Sequence, residues 1–422
     1  MKNYAAAACL LAACAVSTVC AQQGSIPKGV PHLDHVFVIM MENHAYGQVI
    51  GNPNMPFTNE YANKVNSARN YFAVGHPSLT NYLEVVGGSN FGIRDDNSPD
   101  WHDSNCTPNI IGVTVSLEST STAICPIYAS GTDAATPAID YSNETSGPPG
   151  DIDIDGMLGY AANPNTVGET IADELVAADM TWKSYQESLP PTGAGQVNVA
   201  DGLISNLVDI PTLLPGSGLT NSSLIGLYAV KHNPFAYFQN VQEGTDPNLS
   251  LERMAGFQGK EGLFADLASD HVPSYSFVVP NQCHDQHGRG NAGPECEYDP
   301  NDNGTLVGLN PALMYEGDLA IQTLVTAIHQ SNVWQRGKTA IVIVWDENDY
   351  SISPTTNQVL LTVDTNYGPR GVQSKKFYTH FSLLKSIEAG FGLPCLNHAC
   401  DSSTKVMSDL FADGDHDGDD KY

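Results

Sequence analysis

The chain has 422 residues, 41% hydrophobic and 15% charged, a balance that fits a globular protein and argues against a largely disordered one. Eighteen Lys and Arg face 47 Asp and Glu, a net charge of -29. That charge argues against nucleic acid or an anionic membrane as a bulk electrostatic partner, so any anionic substrate must be captured by a local basic pocket.

In chain order, "MKNYAAAACLLAACAVSTVCAQQG" opens with Lys2, an apolar stretch and small residues. This predicts a secretory signal over 1–21, cut after Ala21, and a secreted or periplasmic protein; "LAAC" ending at Cys14 is the rival lipoprotein reading. The stretch is too short for a membrane anchor, and no stable membrane insertion is expected. Cys9, Cys14 and Cys20 leave with the signal. The other six cysteines form an even set suited to an oxidising compartment, and local spacing favours Cys106 with Cys125, Cys283 with Cys296 and Cys395 with Cys400. No mature pair has the CxxC spacing of a zinc site.

"HVFVIMM" (35–41) is a short β-branched run that predicts a strand buried on both faces, and it stops at Glu42, Asn43 and His44. Next, Ser78 heads a predicted helix whose apolar face is Leu79, Tyr82, Leu83 and Val86. Two readings are open for Ser78: a helix N-cap, or a nucleophile whose alkoxide a helix N-terminus would favour. The G-x-S-x-G elbow is absent, so a catalytic Ser78 points to metal activation rather than a His–Asp relay.

Residues 89–165, rich in Gly, Asn, Ser, Thr and Pro, read as an irregular insertion and a candidate cap over the site. Helices are predicted over 166–180, 316–330 and 380–391, and strands over 274–280 and 339–345. The second of the three strands runs into "PNQCHDQH", with Asp285 and His287, and the third into "WDEND", with Asp346 and Glu347. An acidic tail over 401–422 holds "DGDHDG", which like "DIDIDG" (151–156) matches half a calcium loop without the final Glu. Alternation of strands and helices predicts an α/β fold, a three-layer α/β/α sandwich with a largely parallel central sheet, formed by one domain over 30–400. Ligands bind at the carboxyl ends of such strands, where these polar endings converge.

"ENHAYGQVIGN", "HPSLTNYLEVVGGSNFG", "VPNQCHDQH", "EGD", "VIVWDEND" and "HFSLLKSIEAGFGLP", in that order over about 33–395, resemble the secreted acid phosphatase and phospholipase C type phosphoesterase family, whose fold is that of alkaline phosphatase. Thr80 departs from the Pro usual there. The resemblance implies that Glu42, Asn43, Ser78, Asp346 and Glu347 bind one divalent metal, with Ca, Mg or Mn suiting the oxygen-rich set better than Zn. It also implies that Asn81 donates to a phosphate oxygen. Asp285, His287 and His380 would stand opposite, as a second metal site or as phosphate donors and general acid. Lys231 and His232 are candidates for the phosphate pocket, while His44 and His76 would lie behind the ligands.

These residues predict a phosphomonoesterase with a phosphoserine intermediate, acting on a phosphate ester, phosphoinositides included. A monomer is expected. The alternatives are a phospholipase C type phosphodiesterase and, from another class, a secreted acidic calcium-binding module.

Overall fold

The computed structural model describes residues 24–91, 166–189, 227–269, 271–289, 292–300, 305–348 and 357–414, together with 93, 96, 99 and 130–131. The expected signal over 1–21, the Cys106–Cys125 pair, "DIDIDG" and most of the insertion and "DGDHDG" lie outside the described residues.

Twelve strands are described in chain order: β1 (His35–Met41), β2 (Asn66–Ala68), β3 (Tyr71–Phe72), β4 (Ser130–Gly131), β5 (Thr166–Val167), β6 (Trp182–Gln186), β7 (Met254–Ala255), β8 (Tyr275–Val279), β9 (Thr339–Trp345), β10 (Leu361–Thr365), β11 (Gln373–Ser374) and β12 (Tyr378–Thr379). Eight of them form one sheet in the order β11-β2-β10-β9-β1-β8-β6-β7, and only β10 runs against the rest. The three strands expected from sequence are therefore neighbours, with β1 between β8 and β9. Every residue of β8 and β9, and all of β1 after His35, is buried. A strand with no solvated face must be covered on both sides, which is why these runs are continuous rather than alternating.

The described helices include α1 (Tyr46–Val49), α2 (Pro56–Lys64), α3 (Ser78–Gly87), α4 (Ile171–Ala177), α5 (Pro311–Gln330) and α6 (His380–Phe391). α3 packs against α6 and α2 against α5, giving separate helix pairs around the sheet. The boundaries follow local chemistry. α5 starts five residues before the predicted 316 because Asn310 accepts from Ala312 N and Leu313 N, and Pro311 takes the first helical position. α4 starts at 171 rather than 166: Thr166 and Val167 pair with β4, and Thr170 forms a capping box with Asp173. Both Cys283–Cys296 and Cys395–Cys400 are bonded, as the spacing predicted.

The "EGD" block is structural. Asp318 on α5 accepts from Phe57 N and Thr58 N at 2.9 and 2.7 Å, satisfying the free N–H groups of α2 from another helix. Gly317 leaves room for Gln286, whose Cγ would stand 2.3 Å from a Cβ there. Gln286 in turn accepts from Trp345 Nε1 and donates to Met314 O, so the loop after β8 is pinned to β9 and α5.

α3 ends at Gly88, which has φ +70°, and a Cβ at this glycine would meet Leu396 O at 2.6 Å. Gly88→Ala should therefore destabilise the chain by roughly 1–3 kcal/mol in urea unfolding, combining left-handed strain with a backbone clash. A loss under about 0.5 kcal/mol would contradict this packing.

Candidate active site

The sheet register brings the polar endings together. Met41 pairs with Trp345, so Glu42 and Asp346 emerge side by side. Two further backbone bonds lock the edge: Asp346 N donates to Met41 O at 2.9 Å, and Glu42 N donates to Asp285 O at 2.8 Å. Asn43 turns the chain with φ 62°, a left-handed value that Asn tolerates, and its N–H donates to Asp346 Oδ1 at 3.0 Å.

Ser78 is the first residue of α3, and the cap position is Pro77. Its hydroxyl is thus not the N-cap; it faces two carboxylates, Glu42 Oε2 and Glu347 Oε1, each at 3.1 Å. A hydroxyl carries one hydrogen, so it can satisfy only one of them at a time. Asn81, one turn on, fixes this arrangement. Its Oδ1 accepts from Val74 N and Gly75 N, while Nδ2 donates to Gly75 O and to Glu347 Oε2 at 3.0 Å. Donation to a phosphate oxygen would require Asn81 to give up the Glu347 bond. Thr80, in place of Pro, bonds Pro77 O through both N and Oγ1, which preserves the turn.

His232 sits differently from its expected place in a phosphate pocket. Its Nε2 lies 3.0 Å from Glu42 Oε1 and its Nδ1 3.2 Å from Asp285 Oδ2, with the ring stacked on Tyr82 at 5.2 Å. Although Glu42 Oε1, His232 Nε2 and Asp285 Oδ2 approach closely, they lack hydrogen-bonding angles, and Asp346 Oδ2 is likewise without a hydrogen bond. Buried carboxylate oxygens in this state are suited to bind a cation or a proton. One ligand atom from each of Glu42, His232 and Asp285 lies within 4.8 Å of the others, a donor set that fits a divalent ion.

Electrostatics agree. Burial, then the neighbouring acids, pushes the carboxyls of Glu42, Asp285, Asp346 and Glu347 well above the ordinary range; the foremost neighbours are Asp346 for Glu42, Glu42 for Asp285, Glu347 for Asp346 and Asp96 for Glu347. The cationic counterpart is Lys231, which lowers Glu42, Asp285, Asp346 and Glu347 alike. Its Nζ lies 2.9 Å from Asp96 Oδ2 and 3.2 Å from His287 Nε2. His287 Nδ1 is 2.9 Å from Gly288 O and so carries the proton, which leaves Nε2 to accept from Lys231. The His287 N–H donates to Asp285 Oδ1 at 2.7 Å.

His380 stands behind Asp346 rather than with Asp285 and His287. Its Nε2 donates to Asp346 O at 2.6 Å and its Nδ1 accepts from Tyr71 Oη at 2.8 Å. His76 approaches Glu347 Oε2 at 2.7 Å, and His44 bridges Glu42 O and Asp299. Tyr71, Asp96 and Asp299 were not anticipated from sequence. Asp96 lies in an aperiodic stretch, and the other two carry no motif.

The family model described as the phosphoesterase family matches residues 52–297. An acid phosphatase of Aspergillus fumigatus is 22% identical over 361 residues, covering 85% of this chain and 55% of the relative. A phosphatidylinositol-3-phosphatase of Mycobacterium tuberculosis is 22% identical over 392 residues, covering 93% of this chain and 87% of the relative. The chain spans a little over half the length of the Aspergillus fumigatus enzyme and of a probable acid phosphatase of Kluyveromyces lactis, at 55% and 58%. A solved protein of the alkaline phosphatase superfamily from Vibrio parahaemolyticus superposes with a TM-score of 0.42 at 10% identity, covering 90% of this chain and 72% of that one.

Burial, against a weaker upward pull from the Asp346 carbonyl, lowers the His380 imidazole to about 4. The unfolded ring, near 6.5, protonates first, so this group's contribution to stability falls as pH drops from about 6.5 toward 4. An NMR titration should show His380 neutral down to about pH 5. A midpoint near 6.5 would mean that the ring is solvated and free of Asp346.

Proposed function

The chain belongs to the phosphoesterase family, and on that premise we propose that it is a metal-dependent phosphomonoesterase with Ser78 as nucleophile. The observation that carries this reading is the Ser78 hydroxyl, held at 3.1 Å from both Glu42 and Glu347 on the first turn of α3. One cation would be held by Glu42, Asn43, Ser78, Asp346 and Glu347, and a second position is available among Glu42, His232 and Asp285. When bound, the metal supplies Lewis-acid lowering of the serine pKa and neutralises the crowded carboxylates.

The chain's own groups do the rest. Ser78 attacks phosphorus in line, and its proton passes to a neighbouring carboxylate, Glu42 or Glu347. Lys231 holds a phosphoryl oxygen, while Asn81 keeps the serine and Glu347 in register. His287 Nε2, supplied with a proton through Lys231, protonates the departing alkoxide. Water entering from the leaving-group side gives a proton back to His287 and Lys231 as it attacks phosphorus, the P–O bond to Ser78 breaks, Ser78 recovers its proton from the carboxylate, and phosphate leaves. His380 and Tyr71 act as positioning residues on the Asp346 backbone.

The substrate class is a phosphomonoester. Phosphoinositides are included because one relative is named a phosphatidylinositol-3-phosphatase. Two disulfides, and the absence among the described residues of any helix long and apolar enough to cross a membrane, fit the proposed location outside the cytoplasm.

Ser78→Ala should lose at least about 1000-fold in kcat, yet less than about 1 kcal/mol in stability, since the side chain does not cap α3. Acid quenching of the wild type during p-nitrophenyl phosphate turnover should leave phosphoserine at position 78 by mass spectrometry. Retention of more than a few per cent of activity in a folded Ser78→Ala chain would exclude covalent catalysis there.

Chelation should abolish turnover, and Mg²⁺ or Mn²⁺ should restore it. Glu42→Gln, which removes one charge from the ligand set, should weaken divalent-ion binding in calorimetry by about tenfold or more. An unchanged rate after exhaustive chelation would defeat the metal assignment.

A further inference from the structure

Asp96 brings a fifth carboxylate to the Ser78 pocket. It is 5% exposed; its Oδ1 accepts from Leu79 N at 3.0 Å, and its Oδ2 lies 2.9 Å from Lys231 Nζ. Leu79 follows the nucleophile on the first turn of α3, and Pro77 offers that helix end no side-chain acceptor. Its N–H therefore points toward whatever anion stands at the N-terminus. A helix-end N–H and an ammonium beside the nucleophile are donors a phosphoryl group would use, and Asp96 engages one with each oxygen.

Charged and titratable groups among the described residues bear on Asp96. Lys231 faces it directly, His287 accepts from the same ammonium at 3.2 Å, and Glu347 lies within reach of its charge. Through Lys231 the field also extends to Glu42, Asp285 and Asp346. The ammonium that a phosphoryl group needs is thus already shared with the Asp96 carboxylate.

We propose that Asp96 is a specificity-determining residue: by holding a carboxylate on Lys231 and on the Leu79 N–H, it makes the pocket select phosphoryl groups with one negative charge over dianions. This rests on the phosphomonoesterase reading. A monoester's second ionisation lies near pH ~6, so the same substrate is a monoanion at about pH 5 and a dianion at about pH 8. Against the Asp96 carboxylate the dianion meets one more unit of repulsion than the monoanion. For a monoester kcat/KM then falls with rising pH through the charge of the substrate, whereas a phosphodiester, monoanionic throughout, escapes that fall.

The test is calorimetric binding of inorganic phosphate to the Mg²⁺-saturated full chain at about pH 5 and about pH 8, for wild type, Asp96→Asn and Asp96→Ser. Hydrolysis of p-nitrophenyl phosphate and bis(p-nitrophenyl) phosphate is followed over the same range. In the wild type the dissociation constant for phosphate should rise between the two pH values, and both variants should shrink that rise by about tenfold, the order expected for removing one nearby charge. The monoester profile should move toward alkaline pH through KM rather than kcat. For the diester, the ratio of kcat/KM between the two pH values should change by less than about twofold.

Phosphate binding weaker than wild type at both pH values, or an unchanged ratio, would overturn the proposal and leave Asp96 as an aligning partner of Lys231. Asp96→Ser removes the charge without setting an amide against the ammonium, so it provides the same readout if Asp96→Asn fails to fold. A phosphate shift as expected in a chain that hydrolyses no monoester would sustain the role of Asp96 and defeat the phosphomonoesterase reading instead.

Discussion

Glu42, Asp285, Asp346 and Glu347 carry four carboxylates into one buried region at the ends of three adjacent strands, and their mutual repulsion is the constraint to which the surrounding structure answers. Burying like charges without compensation costs several kcal/mol per group, so such a cluster persists only where cations and hydrogen bonds offset it. The hydrogen bonds come from Asn43 N to Asp346, His287 N to Asp285, and Ser78 and Asn81 to Glu347. The oxygens of Glu42, Asp285 and Asp346 that make no hydrogen bond are of the kind that a divalent ion takes as ligands.

Precision at this edge comes from the backbone. β1 and β9 run in register to Met41 and Trp345, so the following residues have little freedom in where they point. The bonds from Asp346 N to Met41 O and from Glu42 N to Asp285 O extend that register one residue beyond the strands. α3 is tied just as firmly. Asn81 holds the turn before Ser78, Asp96 meets the Leu79 N–H, and Gly88 lets the far end pass close to Leu396. Rigid support of this kind fixes the Ser78 hydroxyl against Glu42 and Glu347.

In a chain of net charge -29, the ammonium of Lys231 has an outsized influence on the described site. It lowers four carboxyls, bonds Asp96 and meets His287, so the ionisation of the whole acidic cluster draws on one side chain. The bulk field repels anions, and only a local arrangement of donors can reverse it.

Sequence alone determined what depends on neighbours along the chain. β1 at 35–41, β9 at 339–345 and α6 at 380–391 were legible to the residue, because continuous β-branched runs and a helical apolar period are local properties. The acids and Ser78 were legible as strand and helix endings, and two disulfides from spacing. Only the tertiary structure decided the partners: His232 between Glu42 and Asp285, His380 on the Asp346 carbonyl, and Lys231 on Asp96 across 135 residues. Each of these depends on distance and direction between segments far apart in the chain. Composition and periodicity carry no record of that geometry until the sheet has set its strand order and register.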